Sequence, residues 1–150
     1  MGIVRTALTA LALGAGPVMA LGAGPATALA ADLTVTITDL RNDKGDVHIA
    51  LYIRPEAFPD GDGMLDERKV LIQGGIASAR FEGLAPGAYA VATYHDENGN
   101  HDFDTNVIGF PLEGYAFSKG AQVFLGPPTF PEAAFDVGDG DNETRIVMEY

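Results

Sequence analysis

Short segments in which apolar and polar residues strictly alternate constrain the fold of this 150-residue chain more than any other feature. The segment 33–38 reads Leu-Thr-Val-Thr-Ile-Thr, and comparable alternation recurs in 47–53, 89–94 and 144–150. A period of two with β-branched residues is typical of half-buried strands. Turn-forming Asn, Asp, Gly and Pro separate these segments, and no stretch predicts a long helix. We therefore predict an all-β fold, an antiparallel β-sandwich of about seven strands.

The connections between the predicted strands are of two kinds. The turn signal Asn42-Asp43-Lys44-Gly45 joins the first two strands and predicts that they form a hairpin. The stretch 107–135 has no clear period and is rich in Gly, Pro and aromatic residues. A structureless loop of that length is unusual in a compact domain, so we expect its aromatic side chains to pack across the sandwich.

The first thirty residues have the three parts of a secretory signal peptide. Arg5 supplies the positive start, 7–13 the short apolar core, and Ala28-Leu29-Ala30 the small-x-small exit that cleavage follows. A membrane anchor is the alternative, but a spanning helix needs roughly 20 continuous apolar residues, and prolines and glycines interrupt this segment. We expect a signal peptide over 1–30 and one β-sandwich domain over 31–150, periplasmic or secreted, with no membrane insertion after cleavage.

The net charge and the absence of cysteine argue against several kinds of partner and chemistry. The formal net charge is −12 and the chain has no cysteine. An acidic surface repels phosphate backbones, which argues against nucleic acid as a partner, and it favours cation binding. Disulfides, a thiolate nucleophile, a zinc–thiolate site and a lipid-modified cysteine are all excluded. A glycan or protein of the cell envelope remains open as a partner, and so does the oligomeric state.

One loop, 95–106, carries oxygen-bearing side chains at alternate positions, and we call it the acidic loop. Ca²⁺ accepts six to eight oxygen ligands, and the EF-hand loop takes them from alternate positions. His101 stands where that loop needs glycine and Val107 where it needs glutamate, so the segment is not an EF-hand. The alternative is a plain connection, because Asp, Asn and Gly are common in turns. The predicted calcium ligands are Asp96, Asn98, Asn100, Asp102 and Asp104.

Catalysis has weaker support. His95 and His101, with a tyrosine, are the candidate ligands of a metal-dependent enzyme, but the spacing across a loop constrains little, and turn or surface histidines are the simpler interpretation. Ser78 and Ser118 do not lie in a Gly-x-Ser-x-Gly elbow. We therefore expect that the protein is not an enzyme.

The tract 109–118 combines aromatic residues with one carboxylate. Such residues could stack on a sugar or peptide, or they could cover one open end of the sandwich. The candidate ligand-binding residues are Phe110, Glu113, Tyr115 and Phe117.

Three segments in this order resemble the bacterial family called domain of unknown function 2141: 81–91, the acidic loop and the tract 109–118. Gly126-Pro127-Pro128 and Phe135 extend the resemblance over most of the predicted domain. It implies an exported protein with an immunoglobulin-like or transthyretin-like sandwich and no established activity.

The segment 84–91 also resembles the strand entry of carboxypeptidase regulatory-like domains. Some of those domains carry Asp-x-Asn-x-Asn/Asp calcium loops, a pattern that Asp96, Asn98, Asn100 and Asp104 match. We thus expect an exported, non-enzymatic β-sandwich that binds calcium. A glycan- or peptide-binding adhesion module is the alternative, and a metal-dependent enzyme ranks third.

Overall fold

A computed structural model describes residues 30–150, so nearly all of the predicted signal peptide lies outside the described residues. Eight strands form in this part of the chain, joined by one α-helical turn and three 3-10 turns. The strands are β1 (Ala31–Thr38), β2 (Asp46–Tyr52), β3 (Asp66–Leu71), β4 (Ala77–Leu84), β5 (Gly87–Asp96), β6 (Gly114–Phe117), β7 (Phe135–Val137) and β8 (Gly140–Val147). The helical segments are α1 (Phe130–Ala133) and the 3-10 turns Pro55–Ala57, Gly61–Gly63 and Ser118–Gly120.

The strands form two sheets, which confirms the predicted sandwich. The first sheet has the order β4-β1-β8, in which β1 is antiparallel to β4 and parallel to β8. The second has the order β3-β2-β5-β6 and is antiparallel throughout. The short strand β7 pairs with residues 87–89 of β5, whereas β6 pairs with 92–95. One edge of β5 is therefore shared by two short strands, with a gap between them.

Alternating burial builds the core between the sheets. In β1 the residues Leu33, Val35 and Ile37 are fully buried, while the threonines between them are half-buried. Val47, Ile49 and Leu51 of β2 are also fully buried and belong to the same apolar cluster. Burying one such side chain contributes roughly 1.5–3 kcal/mol, so these facing rows bring the two sheets together.

The predicted hairpin between β1 and β2 is wrong. The two strands lie in different sheets, and the turn 42–45 carries the chain from one sheet to the other. Both strands present an apolar row that has to be buried, and these rows pack face to face across the core. Alternation and a turn signal show where the chain reverses direction, but they do not show which edge a strand pairs with.

The outer face of the second sheet is covered at both ends. At one end Tyr52 and Ala90 form a second apolar cluster with Phe58, Phe130 and Ala133, which come from the loops and from α1. At the other end the acidic loop lies over β2 and β5. Within residues 30–150, no helix has the length and hydrophobicity needed to cross a lipid bilayer.

Candidate metal centre

Two rows of side chains cross the outer face of the second sheet. The strand register places Lys69, His48, Tyr94 and Tyr115 side by side in one row. The adjacent row consists of one carboxylate, two alanines and one aromatic residue: Glu67, Ala50, Ala92 and Phe117. On this face, the next cross-strand pair beyond His48 and Tyr94 is Asp46 opposite Asp96, where the acidic loop begins.

Asp96 organises the acidic loop. One of its oxygens accepts hydrogen bonds from the amides of Gly99 (2.7 Å) and Asn100 (3.2 Å), and the other accepts one from His101 (2.8 Å). Burial acts to raise the pKa of Asp96, but these three amides and the nearby His48 outweigh it and hold the pKa below its usual value. The fully buried carboxylate therefore stays charged and fixes the path of the backbone around it.

The remaining predicted calcium ligands lie in the same loop. Asn98 and Asn100 both donate their side-chain amides to Asp104, at 2.6 Å and 3.1–3.2 Å. Their own carbonyl oxygens accept the backbone amides of Asn100 and Asp102. The Asp102 side chain is exposed. Hydrogen bonds within the loop thus connect Asn98 and Asn100 to Asp104.

Glu113 lies beneath this loop and is not among the residues that line the aromatic groove described below. Its Oε2 accepts the Asp104 amide at 3.2 Å, and its Oε1 is buried without a hydrogen bond of normal geometry. Burial, reinforced by the charges of Asp96 and Asp104, raises the pKa of Glu113, and the amides of Asp104 and Glu97 oppose the rise. A third carboxylate, 6% exposed, therefore joins the two acids of the loop.

A second group of ligating side chains lies on the sheet side of Asp96. Ligand atoms of Asp46, His48, Asp96 and His101 all lie within 4.8 Å of one another, so the cluster could hold a metal ion. Sequence reasoning missed Asp46 and His48 as ligands. Alternation does place them on one face of β2, but only the register between β2 and β5 shows that they meet Asp96.

The predicted pair of His95 and His101 does not assemble. His95 is fully buried on the opposite side of β5, with Nδ1 2.6 Å from the Tyr150 hydroxyl and Nε2 2.8 Å from the Lys44 carbonyl. Both of its ring nitrogens serve structural hydrogen bonds. His101 instead lies with His48, and the two ring centres are 5.7 Å apart.

The aromatic residues of the tract line a groove of about 1200 Å³ over the outer face of the second sheet. Ala50 and Ala92 form part of its lining, as do Tyr115, Phe117 and the exposed Phe110. His48 and His101 lie in the same lining. The structure thus brings three of the four predicted ligand-binding residues together and places the Asp/His cluster beside them.

Comparisons with known proteins identify a family for this chain. Among solved structures, a pilus-presented adhesin is similar at 15% identity and a TM-score of 0.25, over 80% of this chain and 27% of the adhesin chain. No curated protein matches the chain. Residues 35–145 match the model of the family described as "Uncharacterized protein conserved in bacteria (DUF2141)". This match extends from β1 into β8 and contains both the acidic loop and Glu113, and the chain belongs to that family.

Proposed function

We propose that this protein is an exported, non-enzymatic β-sandwich that binds Ca²⁺ between the acidic loop and Glu113. Export is supported by the signal-peptide pattern of residues 1–30. The observation that carries the calcium site is the Oε1 atom of Glu113, a buried carboxylate oxygen that has no hydrogen bond of normal geometry and lies next to two further acids.

A cation bound between the acidic loop and Glu113 would offset the repulsion between neighbouring carboxylates. Asp96, Asp104 and Glu113 bring three carboxylates together, and burial makes the charge of Glu113 costly. Ca²⁺ prefers carboxylate and carbonyl oxygens and tolerates irregular geometry, which suits a loop of this composition. Binding would replace the hydrogen bonds that the side-chain amides of Asn98 and Asn100 donate to Asp104.

Thermal unfolding of the mature protein with Ca²⁺ and with chelator tests the proposal. With a dissociation constant of about 10 µM, about 1 mM Ca²⁺ should stabilise the fold by roughly 2.7 kcal/mol. For a domain of this size, that corresponds to a rise in Tm of roughly 10 °C. No rise in Tm for the wild-type protein would contradict the proposal.

Glu113→Gln is the sharper variant, because it keeps an acceptor for the Asp104 amide while it removes the buried charge. Without calcium its Tm should equal or exceed that of the wild type, and with calcium it should rise little. Glu143→Gln, at an exposed position of β8, is the matched control and should keep the full calcium response. An unchanged calcium response in Glu113→Gln would exclude Glu113 as a ligand.

The aromatic groove supports a second candidate function, the binding of an extracytoplasmic glycan or peptide. Phe110 is 64% exposed at the groove, and Tyr115 and Phe117 continue its aromatic lining across β6. Aromatic faces of this kind stack on sugar rings and apolar side chains. Binding to a glycan or peptide array that is lost in Tyr115→Ala but kept in calcium-free buffer would favour this role over the first.

A further inference from the structure

We propose that Asp46, His48, Asp96 and His101 form a binding site for a divalent transition-metal ion at the end of the aromatic groove. The site differs in ligand chemistry from the calcium site proposed for the acidic loop, although both include Asp96. Two of its four ligands are imidazole nitrogens, which Ca²⁺ does not favour and which Zn²⁺, Cu²⁺, Ni²⁺ and Fe²⁺ accept readily.

The central observation is the environment of His48. Its side chain is 2% exposed, and its Nδ1 lies 2.9 Å from Oε1 of Glu67. Its Nε2 faces Asp46 Oδ1 at 3.1 Å and Asp96 Oδ2 at 3.8 Å. Both Nε2 of His48 and Oδ1 of Asp46 are buried without a hydrogen-bond partner.

These contacts bring hydrogen-bond acceptors close together in a buried place. A carboxylate can only accept, so the N–H at Nδ1 donates a hydrogen bond to Glu67, and the neutral imidazole then presents a lone pair at Nε2. That lone pair lies 3.1 Å and 3.8 Å from carboxylate oxygens, which also carry only lone pairs. In addition, Asp46 and Asp96 are direct cross-strand neighbours, an arrangement that repels unless it is compensated. Either an extra proton on Nε2 or a metal ion satisfies all of these groups.

Two neighbouring residues hold the His48 imidazole in an orientation suited to metal binding. Glu67 fixes its tautomer, and a carboxylate on the far nitrogen of a histidine ligand is the usual outer-shell partner at metal sites. Tyr94 stacks on the imidazole with ring centres 4.4 Å apart and planes 23° apart, which restrains the rotation of the ring. Glu67 and Tyr94 are thus positioning residues, because they act through His48.

His101 completes the set from the loop. Its Nδ1 lies 3.5 Å from Asp96 Oδ2, and its side chain is 55% exposed on the groove side. A metal–ligand bond of about 2.0–2.2 Å places ligand atoms up to roughly 4 Å apart. The widest separation in the cluster is at most 4.8 Å, so an ion needs a closure of less than about 1 Å. The exposed His101 can supply that movement without disturbing the sheet.

Imidazole ¹⁵N NMR of the mature protein during addition of Zn²⁺ tests the proposal without any mutation. The three histidines differ in a way that provides an internal control. The ring signals of His48 and His101 should shift at one equivalent of Zn²⁺, whereas those of His95, whose nitrogens bond to Tyr150 and Lys44, should not. If only a proton bridges the cluster, Zn²⁺ will shift none of them, and the proposal is overturned.

Calorimetric Zn²⁺ titration of variants identifies the ligands. His101→Ala should weaken Zn²⁺ binding at least tenfold, and Glu67→Ala by about 10–100-fold. Glu67→Gln keeps an acceptor for His48 and should recover part of the affinity. Asp139→Ala changes an exposed acid that belongs to neither proposed site and should bind Zn²⁺ like the wild type. Equal Zn²⁺ affinity of His101→Ala and wild type would refute the site.

The two metal proposals fail independently. His101→Ala should lose Zn²⁺ affinity and keep the rise in Tm with Ca²⁺, whereas Glu113→Gln should lose the calcium response and keep Zn²⁺ affinity. If both variants lose both responses, the cluster is one site, and the assignment of a separate transition-metal site is wrong.

Discussion

Ser118 is the residue at which the structure makes its most specific stability prediction. Along the edge of β5, β6 ends at the pair of Ala92 with Phe117, and β7 begins at the pair of Tyr89 with Phe135. The Ser118 hydroxyl fills the gap between the two strands. It accepts the Val91 amide at 2.9 Å and donates to the Ala133 carbonyl at 2.6 Å. One fully buried side chain thus replaces a missing piece of strand.

Ser118→Ala removes the hydroxyl that is hydrogen-bonded to both the Val91 amide and the Ala133 carbonyl. The Val91 amide and the Ala133 carbonyl would remain buried and unsatisfied, and each such group costs about 1–3 kcal/mol. We expect a loss of roughly 2–4 kcal/mol in the free energy of unfolding, since some relaxation is available at the end of α1. A loss of this size should lower Tm by roughly 8–16 °C.

Urea unfolding followed by circular dichroism measures this difference, and Ser78→Ala is the matched control. Ser78 is exposed on β4, with only a 3.3 Å contact to the Thr36 hydroxyl, so its loss should change stability by less than about 0.5 kcal/mol. Equal stabilities of the two variants would refute the role of Ser118 as a strand substitute. A changed denaturant dependence would instead show that the unfolding is no longer two-state.

Two further predictions concern backbone geometry and pH. Gly45 has φ +65, and a Cβ added there would lie 1.7 Å from the Asp96 carbonyl oxygen, so Gly45→Ala should destabilise the protein by several kcal/mol in urea unfolding. Gly74→Ala, at φ +61 with open space around it, should cost only about 1 kcal/mol. Glu132 accepts the amide and hydroxyl of Thr129, which lowers its pKa, so its contribution to stability is lost as the pH falls through that pKa. Glu132→Gln should therefore lose less stability than the wild type when the pH is lowered through the pKa of Glu132.

The sandwich could be predicted because the buried residues of each core row alternate within one short segment of the sequence. Leu33, Val35 and Ile37 can be read as one buried face without any knowledge of the partner strand. In β2, however, His48 is as deeply buried as the apolar residues beside it, although alternation places it on the opposite face of the strand. The reason is that later segments of the chain cover the outer face of the second sheet, which alternation within one strand cannot reveal.

The sequence predicted only the part of the candidate site that lies within one short segment. Asp96 to Asp104 are close in sequence, and their spacing alone indicates a ring of oxygen donors. Glu113 and Asp46 reach that ring through strand register and loop packing, so no local spacing identifies them. We expected Glu113 among the ligand-binding residues of the tract. It is instead buried beneath the acidic loop, where it accepts a hydrogen bond from the amide of Asp104.

Asp96 links the fold to both proposed metal sites. As the last residue of β5 it is held in register against Asp46, and its carboxylate fixes the first turn of the acidic loop through three amides. Any cation bound on either side of this carboxylate therefore also stabilises the end of the sheet and the path of the loop. Because the same loop carries His101 to the groove, cation binding and the shape of the aromatic groove should be coupled. A ligand of the groove should then bind with an affinity that depends on the metal held by His101, which lies in the lining of the groove.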